Sequence, residues 1–219
     1  MISDYLCLIR GGGDLGTGAA LQLKRMGMPV VVCDLKNPLA VRRKVSLSSA
    51  IPDRKIKIEE ITGERIDDLS TINDFSSTEV VPVIISDSLP TFPISVIVDA
   101  RMQKKPMDTK IDDASLVVAL GPGFFAGRDC HAVVETMRGP NMGKIIWDGC
   151  AEEDTGIPGE VGGLTGERLL RSPSNGEISV LGIDPTKHPL EIRKKIGVVL
   201  QQPSYEPTLS AEKSLDKYG

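Results

Sequence analysis

The sequence has no clustered cysteines, and this absence argues against a disulfide-stabilised protein and against a zinc protein. The four cysteines are far apart and form no C-x-x-C pair; they are Cys7, Cys33, Cys130 and Cys150. Cys7 and Cys33 lie in apolar, strand-like runs, where a cysteine usually serves as a small buried hydrophobic residue. We therefore expect no disulfide framework and no zinc or other metal site. This cysteine usage is typical of a reducing cytoplasm.

Long hydrophobic runs and long basic runs are also missing. The longest apolar runs, such as VPVII and SVIV, have the length of strands, far short of the roughly 20 residues that span a membrane. Asp4 lies near the start and no long apolar stretch follows it, so we expect no signal peptide, no membrane span and a cytoplasmic location. The formal net charge of −4 makes nucleic acid a poor candidate for a partner.

Glycine, by contrast, is concentrated in the opening segment LCLIRGGGDLGTGAALQLKRMGMPVVVCDL, residues 6–35. A short apolar run predicts a buried strand before the glycines. Apolar residues at helical spacing then predict a helix that ends at Gly27; they are Leu15, Ala19, Leu23 and Met26. Gly11, Gly13 and Gly16 fit the pattern G-x-G-x-x-G between this strand and this helix, with Gly12 inside it. That placement is the one a nucleotide-binding turn requires.

The chemistry of such a turn is the approach of a phosphate to free backbone N–H groups at a helix N-terminus. Asp34 closes the next apolar run about 20 residues further on, where a carboxylate can accept hydrogen bonds from ribose hydroxyls. Strand, helix and terminal acid agree, so we favour a nucleotide-type site over a plain strand–helix turn. Asp14 argues the other way, because its carboxylate could repel a phosphate, although it could instead cap the helix.

Further apolar runs alternate with other segments along the chain and predict an α/β fold, Rossmann-like, with a mostly parallel sheet. The runs are 80–85, 94–98 and 116–120, and we also expect a helix over 38–49 and a hairpin over 55–65 that turns at Thr62-Gly63. Ligands of such sheets bind beyond the carboxyl ends of the strands. We therefore add Asp99 and Arg101 of the segment DAR to the candidate site.

The loop GPGFFAGRD, residues 121–129, is the second informative stretch. Gly121 and Gly123 free its backbone, its two phenylalanines can lie against a flat ring, and Arg128 could pair with an anion. A turn that buries a Phe pair explains the same residues. His131 is either an acid or base beside this loop or a structural histidine at a strand start. The basic residues 42–44 either reach a ligand phosphate or line a solvated face.

Several separated motifs, taken together, resemble the selenium-dependent molybdenum hydroxylase accessory family, whose members look like relatives of the Rossmann-type xanthine dehydrogenase maturation factors. The motifs lie at 9–51, 98–102, 109–129, 131–149 and 154–163. The resemblance covers residues 1 to about 171. It implies a helper that matures a molybdenum hydroxylase, its client, and that handles the molybdenum cofactor or a selenium or sulfur ligand to it.

The residues that match the family's pattern fall in four groups, and the resemblance implies that they belong to its functional surface. They are Gly11, Gly12, Gly13 and Asp14, then Asp99, Ala100 and Arg101, then Asp112 and Asp113, then Gly121, Pro122 and Gly123. The resemblance does not imply what each of them does chemically. We expect a first domain, 1–171, that carries the site.

The remaining segment, 174–219, departs from that family and instead resembles a fragment of an ABC transporter ATPase. GVVLQQP is similar to the Q-loop, whose glutamine would be Gln201. The phosphate loop, the signature motif and the acidic magnesium strand of those ATPases are missing, and an ATPase does not work without them. We interpret the segment as a fused or truncated piece that does not bind ATP.

Three functions are thus open from the sequence. The first is maturation of a molybdenum hydroxylase, with the molybdenum cofactor or a dinucleotide as ligand and without catalysis by this chain. The second is an NAD(P)-dependent oxidoreductase, for which His131 and Cys130 are the weak acid–base candidates, since the tyrosines lie in a strand or in the tail. The third, an ABC-type ATPase component, rests on the tail alone.

Overall fold

We describe the chain from a computed structural model. The structure describes residues 5–67, 79–103, 108–154, 163 and 182–184. The chain divides into two compact units, Met1–Gly156 and Ile157–Gly219. The predicted boundary at 171–174, the segment that resembles an ABC ATPase and Gln201 all lie outside the described residues, so those expectations stay predictions.

Nine strands in the described residues of the first unit form one sheet. They are β1 Cys7–Arg10, β2 Val30–Asp34, β3 Lys55–Ile58, β4 Ile61–Arg65, β5 Val80–Ile85, β6 Val96–Asp99, β7 Leu116–Leu120, β8 Ala132–Val134 and β9 Ile145–Ile146. Their order across the sheet is β3-β4-β5-β2-β1-β6-β7-β8-β9. Every neighbouring pair is parallel except the hairpins β3–β4 and β8–β9. The predicted Rossmann-like α/β fold with a mostly parallel sheet is confirmed.

The centre of the sheet is buried on both faces. Successive side chains of a strand point to opposite faces, so Cys7 and Ile9 of β1 belong to one hydrophobic cluster and Leu8 to another. The first cluster includes residues of helix α1, Asp14–Arg25, and the second includes Phe124 and residues of β7. A strand covered on both sides has to be apolar along its length, which explains the short run that begins the sequence.

The predicted helix α1 is present, and two of its four predicted apolar positions, Ala19 and Leu23, pack against the core. Gly16, Ala20 and Leu21 are buried, whereas Leu15 and Met26 are exposed. A Cβ on Gly16 would lie 2.0 Å from the carbonyl oxygen of Gly11, so the helix is rotated to bring this glycine against the preceding turn. The close approach of Gly16 to the backbone of Gly11 thus acts together with the packing of Leu21 and Leu23 to set which face of α1 is buried.

The helix expected over 38–49 was wrong. The structure has two 3₁₀ turns, Arg43–Val45 and Leu47–Ser49, followed by a four-residue helix α2, Ala50–Asp53. Serine hydroxyls compete with helical hydrogen bonding by binding the local backbone. Ser46 donates to the carbonyl of Arg42, and Ser49 donates to that of Arg43, each at 2.7 Å.

The hairpin over 55–65 is present, but its turn lies at Glu59-Glu60 and not at Thr62-Gly63. Gly63 pairs with Ile56 inside the ladder. A Cβ there would come within 2.7 Å of Leu47 Cδ2, so this glycine makes room for a core leucine instead of making a turn.

In the part of the chain that the structure describes, no helix combines the length and the apolar character needed to cross a bilayer.

Gly16 and Gly18 provide a matched test of how α1 is held against the sheet. We expect Gly16→Ala to lower the free energy of unfolding by at least about 2 kcal/mol, because backbone has to shift to admit the new methyl group. Gly18→Ala adds its methyl group in open space and should stabilise the chain by roughly 0.5–1 kcal/mol through helix propensity. Urea denaturation of both variants measures the difference. Equal effects from the two changes would contradict the backbone contact.

Candidate functional site

A cavity lies at the carboxyl ends of the central strands, where the topology of the sheet reverses. The chain runs from β1 through α1 to β2 on one side, and it later returns to β6 on the other side of β1. Open parallel sheets bind ligands at such a switch point. The cavity here has a volume of about 360 Å³. It is lined by the glycine turn, the ends of β1 and β2, the loop 35–42, and residues that follow β5 and β6.

The glycines of the turn divide into those that pack and one that faces open space. Gly11 has φ of 96°, and a Cβ on it would lie 3.0 Å from the backbone of Ala100. A Cβ on Gly12 would lie 2.9 Å from the nitrogen of Ser48. Gly13 has nothing within 4 Å of an added Cβ and lines the cavity. Gly11 lines the cavity too, but Gly13 is the one of these three at which an added Cβ has open space beside it.

Helix α1 presents its N-terminus at the same place. The first N–H groups of a helix have no partner within it and attract anions. Asp14 lies in the first turn, and its carboxylate accepts a hydrogen bond from Leu15 N at 3.1 Å. The guanidinium of Arg42 pairs with the other oxygen of Asp14. Arg42 thus lines the cavity. Its positive charge offsets the charge of the Asp14 carboxylate, which on the sequence alone could repel a phosphate.

Asp34 at the end of β2 holds the glycine turn. One oxygen of its carboxylate accepts the N–H of Gly12 at 2.8 Å, and the other accepts the N–H of Leu35 at 2.7 Å. Each carboxylate oxygen has a second lone pair. Asp34 therefore has a structural role and still lines the cavity as an acceptor for ligand hydroxyls.

The floor of the cavity contains a buried charge that sequence reasoning missed. Arg10 ends β1 with a relative exposure of 1%. Its guanidinium donates to Asp108 through Nη1 at 3.1 Å and through Nη2 at 2.9 Å, to the hydroxyl of Thr109 at 2.6 Å and to the carbonyl of Asp87 at 3.2 Å. The sequence does contain a signal for this buried charge, since an arginine ends an apolar strand directly before the glycine turn.

Asp99 and Arg101 belong to the same network. Asp99 is buried and pairs in register with Arg10 across β6 and β1. It accepts hydrogen bonds from Arg101 Nη2 and from Thr109 Oγ1, each at 2.6 Å. Arg101 Nη1 also donates to Asp108 at 2.7 Å. The prediction that both residues lie at the carboxyl edge of the sheet agrees with this arrangement.

The pKa of Asp108 shows the strength of the local positive field. Burial raises its pKa, but the hydrogen bonds and charges of Arg10 and Arg101 outweigh burial and lower the pKa to about 2. Asp108 is thus a carboxylate throughout the physiological range.

The second loop does not join this cavity. Gly123 and Arg128 line two other cavities, of about 480 and 330 Å³, and Asp112 lines the smaller one. A Cβ on Gly121 would meet the side chains of Thr136 and Met102, so this glycine makes room for packing. Gly123 and Arg128 therefore line cavities other than the one at the glycine turn, whereas Gly121 packs beside Met102, which lines the glycine-turn cavity.

The side chains of that loop bind one another. Phe124 is buried in the core and forms part of the wall of both of these cavities. The guanidinium of Arg128 lies 5.1 Å from the ring centre of Phe125 and donates two hydrogen bonds of 2.8 Å to Asp129. The buried-Phe interpretation therefore holds for one phenylalanine, and Arg128 is engaged by an internal acid.

The two acid–base candidates are both in structural roles. The Nδ1 atom of His131 accepts the N–H of Val117 at 3.0 Å. Val117 lies near the start of β7, so His131 is at the amino edge of the sheet, opposite the glycine turn. Burial raises the pKa of Cys130 to about 11, which keeps this thiol protonated. Burial also raises the pKa of Cys7 to about 12 and that of Cys33 to about 11.

Comparison with known proteins gives one informative similarity. The chain is 36% identical over 174 residues to a protein of Escherichia coli (strain K12) named "Uncharacterized protein YqeB". The matched stretch is 78% of this chain and 32% of that protein, so the chain spans about a third of the length of the curated relative it matches. No family model and no solved structure matches the chain.

The salt bridge of Asp108 with Arg10 and Arg101 should make the free energy of unfolding depend on pH. The folded pKa of about 2 lies below the ordinary value of 3.8, so the bridge stabilises fully above about pH 4 and is lost as pH falls towards 2. We expect Asp108→Asn to be less stable than the wild type at pH 7, with a difference that shrinks below pH 4. Urea denaturation between pH 7 and 2.5 measures it. A difference that stays constant with pH would contradict the assignment.

Proposed function

We propose that the cavity at the glycine turn binds a small molecule that carries a phosphate and a flat ring, of the nucleotide or molybdopterin type. One observation carries the proposal: an open glycine, Gly13, at a helix N-terminus lies in one cavity with the buried guanidinium of Arg10. Backbone N–H groups at a helix N-terminus and a fixed guanidinium are both groups with which proteins bind phosphoryl groups.

The rim of the cavity supplies the surface that a ring needs. Leu39 and Val41 line the cavity with 85% and 94% of their surface exposed, and Leu35 lines it as well. Apolar side chains that stay exposed beside a polar floor are characteristic of ligand sites. The volume of about 360 Å³ also lies in the range of roughly 300–1,000 Å³ that such sites have.

The charges around the cavity are balanced, and this limits the ligand. Arg10, Arg42 and Arg101 line it together with Asp14, Asp34 and Asp87. Charges of both signs in equal number do not favour a bare polyanion, because any gain near the arginines is offset near the acids. A ligand that adds ring contacts and hydroxyl groups to its phosphate fits this balance better than inorganic polyphosphate.

We further propose that the chain is a non-catalytic maturation protein of a molybdenum hydroxylase. The support is the resemblance of its separated motifs to the selenium-dependent accessory family. The molybdenum cofactor is then the cargo held at the glycine turn, the hydroxylase is the partner that receives it, and the cytoplasm is where this occurs. The placement of His131 away from the cavity favours a binding role over catalysis by that residue.

The second candidate is an NAD(P)-dependent oxidoreductase, and Asp34 is the observation that favours it. Its carboxylate ends β2 beside the glycine turn, which is where Rossmann proteins place the acceptor for ribose hydroxyls. The third candidate, an ATPase component, rests on a segment outside the described residues and gains no support from the structure.

The ligand itself tests the proposal most simply. We expect small molecules released from freshly purified wild-type chain, and identified by mass spectrometry, to include a phosphorylated pterin. A nicotinamide dinucleotide in its place would select the second candidate. A chain that holds neither compound and binds neither when they are added would contradict the proposed site.

Gly13 is the position at which binding can be blocked while the fold is kept. Its φ of −66° and ψ of −175° suit any residue, so Gly13→Val should fold and place its side chain in the cavity. We expect it to lower the affinity for the ligand at least about tenfold, a loss of about 1.4 kcal/mol. Calorimetry measures this, with Gly18→Val as the control on the exposed side of α1. Unchanged affinity in Gly13→Val would contradict the phosphate-binding turn.

The same pair of variants tests the maturation role in cells. A molybdenum hydroxylase purified from cells that lack this chain should show reduced activity per mole of protein. Wild-type chain and Gly18→Val should restore that activity, whereas Gly13→Val should not. Full activity without the chain would contradict the maturation role, although it would leave ligand binding intact.

Asp34 distinguishes the two ligand classes. If Asp34 accepts ribose hydroxyls, Asp34→Ala should weaken binding of a dinucleotide by about 1–3 kcal/mol. A pterin presents no ribose to Asp34, so its binding free energy should fall by less. The remaining loss is the cost of freeing the N–H group of Gly12 from Asp34. Calorimetry with both ligands on the same variant gives the comparison. Equal, large losses would show that Asp34 acts only by holding the turn.

A further inference from the structure

We propose that Arg10 and Arg101 form a phosphoryl-binding subsite on the floor of the cavity, and that the carboxylate of Asp108 occupies this subsite until a ligand displaces it. The inference rests on the proposed function in that it names the residues which receive the ligand's phosphoryl group. It goes further in assigning an internal competitor for that group.

The contacts of Asp108 are those of a bound oxyanion. Its two oxygens face the two terminal nitrogens of Arg10 at 3.1 and 2.9 Å, which is the parallel, bidentate arrangement that guanidinium groups make with carboxylates and phosphates. Arg101 Nη1 approaches the first of these oxygens at 2.7 Å. Two guanidinium groups therefore converge on one small anion.

The positive groups are fixed, whereas the anion is the partner that can leave. Arg10 is 1% exposed and Arg101 17%, but the Asp108 side chain is 53% exposed. Without Asp108, Arg10 keeps the Thr109 hydroxyl and the Asp87 carbonyl, and Arg101 keeps Asp99. The subsite thus retains its shape when its occupant leaves.

One buried donor of Arg10 is unused in this state. Its Nε atom is buried and has no hydrogen-bond partner in the structure, which is rare for a buried polar group. Asp108 has two oxygens, and both already contact the terminal nitrogens. An anion held by both terminal nitrogens lies on the far side of the guanidinium carbon from Nε, so this donor stays unpaired whether Asp108 or a phosphoryl group occupies the subsite.

Charge also selects a phosphoryl group over a carboxylate. A free carboxylate offers the two guanidinium groups no more than Asp108 does, and Asp108 competes at the high effective concentration of a tethered group. A phosphate monoester carries about −1.5 to −2 charges at pH 7. Arg101 also pairs with the buried Asp99, so the two guanidinium groups leave one net positive charge for the occupant. A doubly charged phosphoryl group gains more from that charge than a carboxylate does and can displace the internal acid.

The test compares inorganic phosphate binding by the full-length wild type, Asp108→Asn and Asp67→Asn. Asp67 is a matched control, because it is also an exposed aspartate that pairs with two arginines, Arg54 and Arg65. If the subsite is free of Asp108 in about 0.1–10% of wild-type molecules, removing the competitor raises phosphate affinity between about tenfold and a thousandfold. Asp67→Asn should bind phosphate as the wild type does, and adding Arg101→Gln should remove the gain.

Thermal unfolding gives the same comparison without calorimetry. Asp108→Asn should unfold at a lower temperature than the wild type, and phosphate should restore it where potassium chloride of equal ionic strength does not. If Asp108→Asn does not fold in either salt, Asp108→Glu provides the test. Its longer side chain displaces the carboxylate from its present position, so it should compete less well for Arg10 and Arg101. Phosphate affinity should then rise above that of the wild type.

Phosphate affinity in Asp108→Asn that equals the wild-type value would overturn the subsite, as would a gain of the same size in Asp67→Asn. The inference and the proposed function can fail separately. A phosphate gain in Asp108→Asn with no effect of Gly13→Val on ligand binding would keep the subsite and reject the glycine turn. No phosphate gain in Asp108→Asn, together with weaker ligand binding by Gly13→Val, would reject the subsite and keep the glycine turn.

Discussion

A guanidinium buried at the end of a central strand needs acceptors on every side, because an unpaired buried charge costs several kcal/mol. At its two terminal nitrogens Arg10 meets this need with the side chains of Asp108 and Thr109 and with the carbonyl of Asp87, whereas its Nε has no partner. These partners belong to the segments that follow β5 and β6, so one side chain ties the carboxyl edge of the sheet together. The cavity adjoins this network, and the guanidinium groups of Arg10 and Arg101 line it.

The glycine turn is built around the same edge. Gly11 packs on Ala100 and Gly12 donates to Asp34, so the turn is fixed between β6 and β2. Gly13 alone is left beside open space. A rigid turn, a fixed guanidinium and the exposed apolar residues of loop 35–42 face one cavity of about 360 Å³. This combination of a polar floor and an apolar rim is what a phosphorylated ring compound requires.

Sequence reasoning succeeded for the segment 6–35. It failed for contacts between distant parts of the chain and for local hydrogen bonds that residue spacing does not specify. The strand, glycines and helix at 6–35 follow from residues that touch their near neighbours. The partners of Arg10 are 77 to 99 residues away in the sequence, and no local sequence pattern predicts them. The helix expected over 38–49 failed because serine hydroxyls bound the backbone. The loop 121–129 contains ligand-like residues, but Arg128 pairs with its own neighbour Asp129, a choice that spacing does not predict.

The most direct test of the account is to observe the guanidinium groups themselves in the full-length chain. Nitrogen-15 magnetic resonance of the arginine Nε–H groups should show Arg10 protected from solvent exchange, since its Nε is buried. Substitution of Arg10 and Arg101 by lysine identifies their signals. Saturation with inorganic phosphate should move the signals of Arg10 and Arg101 and leave that of the exposed Arg128 unchanged. Movement of the exposed arginines alone, with Arg10 and Arg101 unaffected, would contradict a phosphoryl site on this floor.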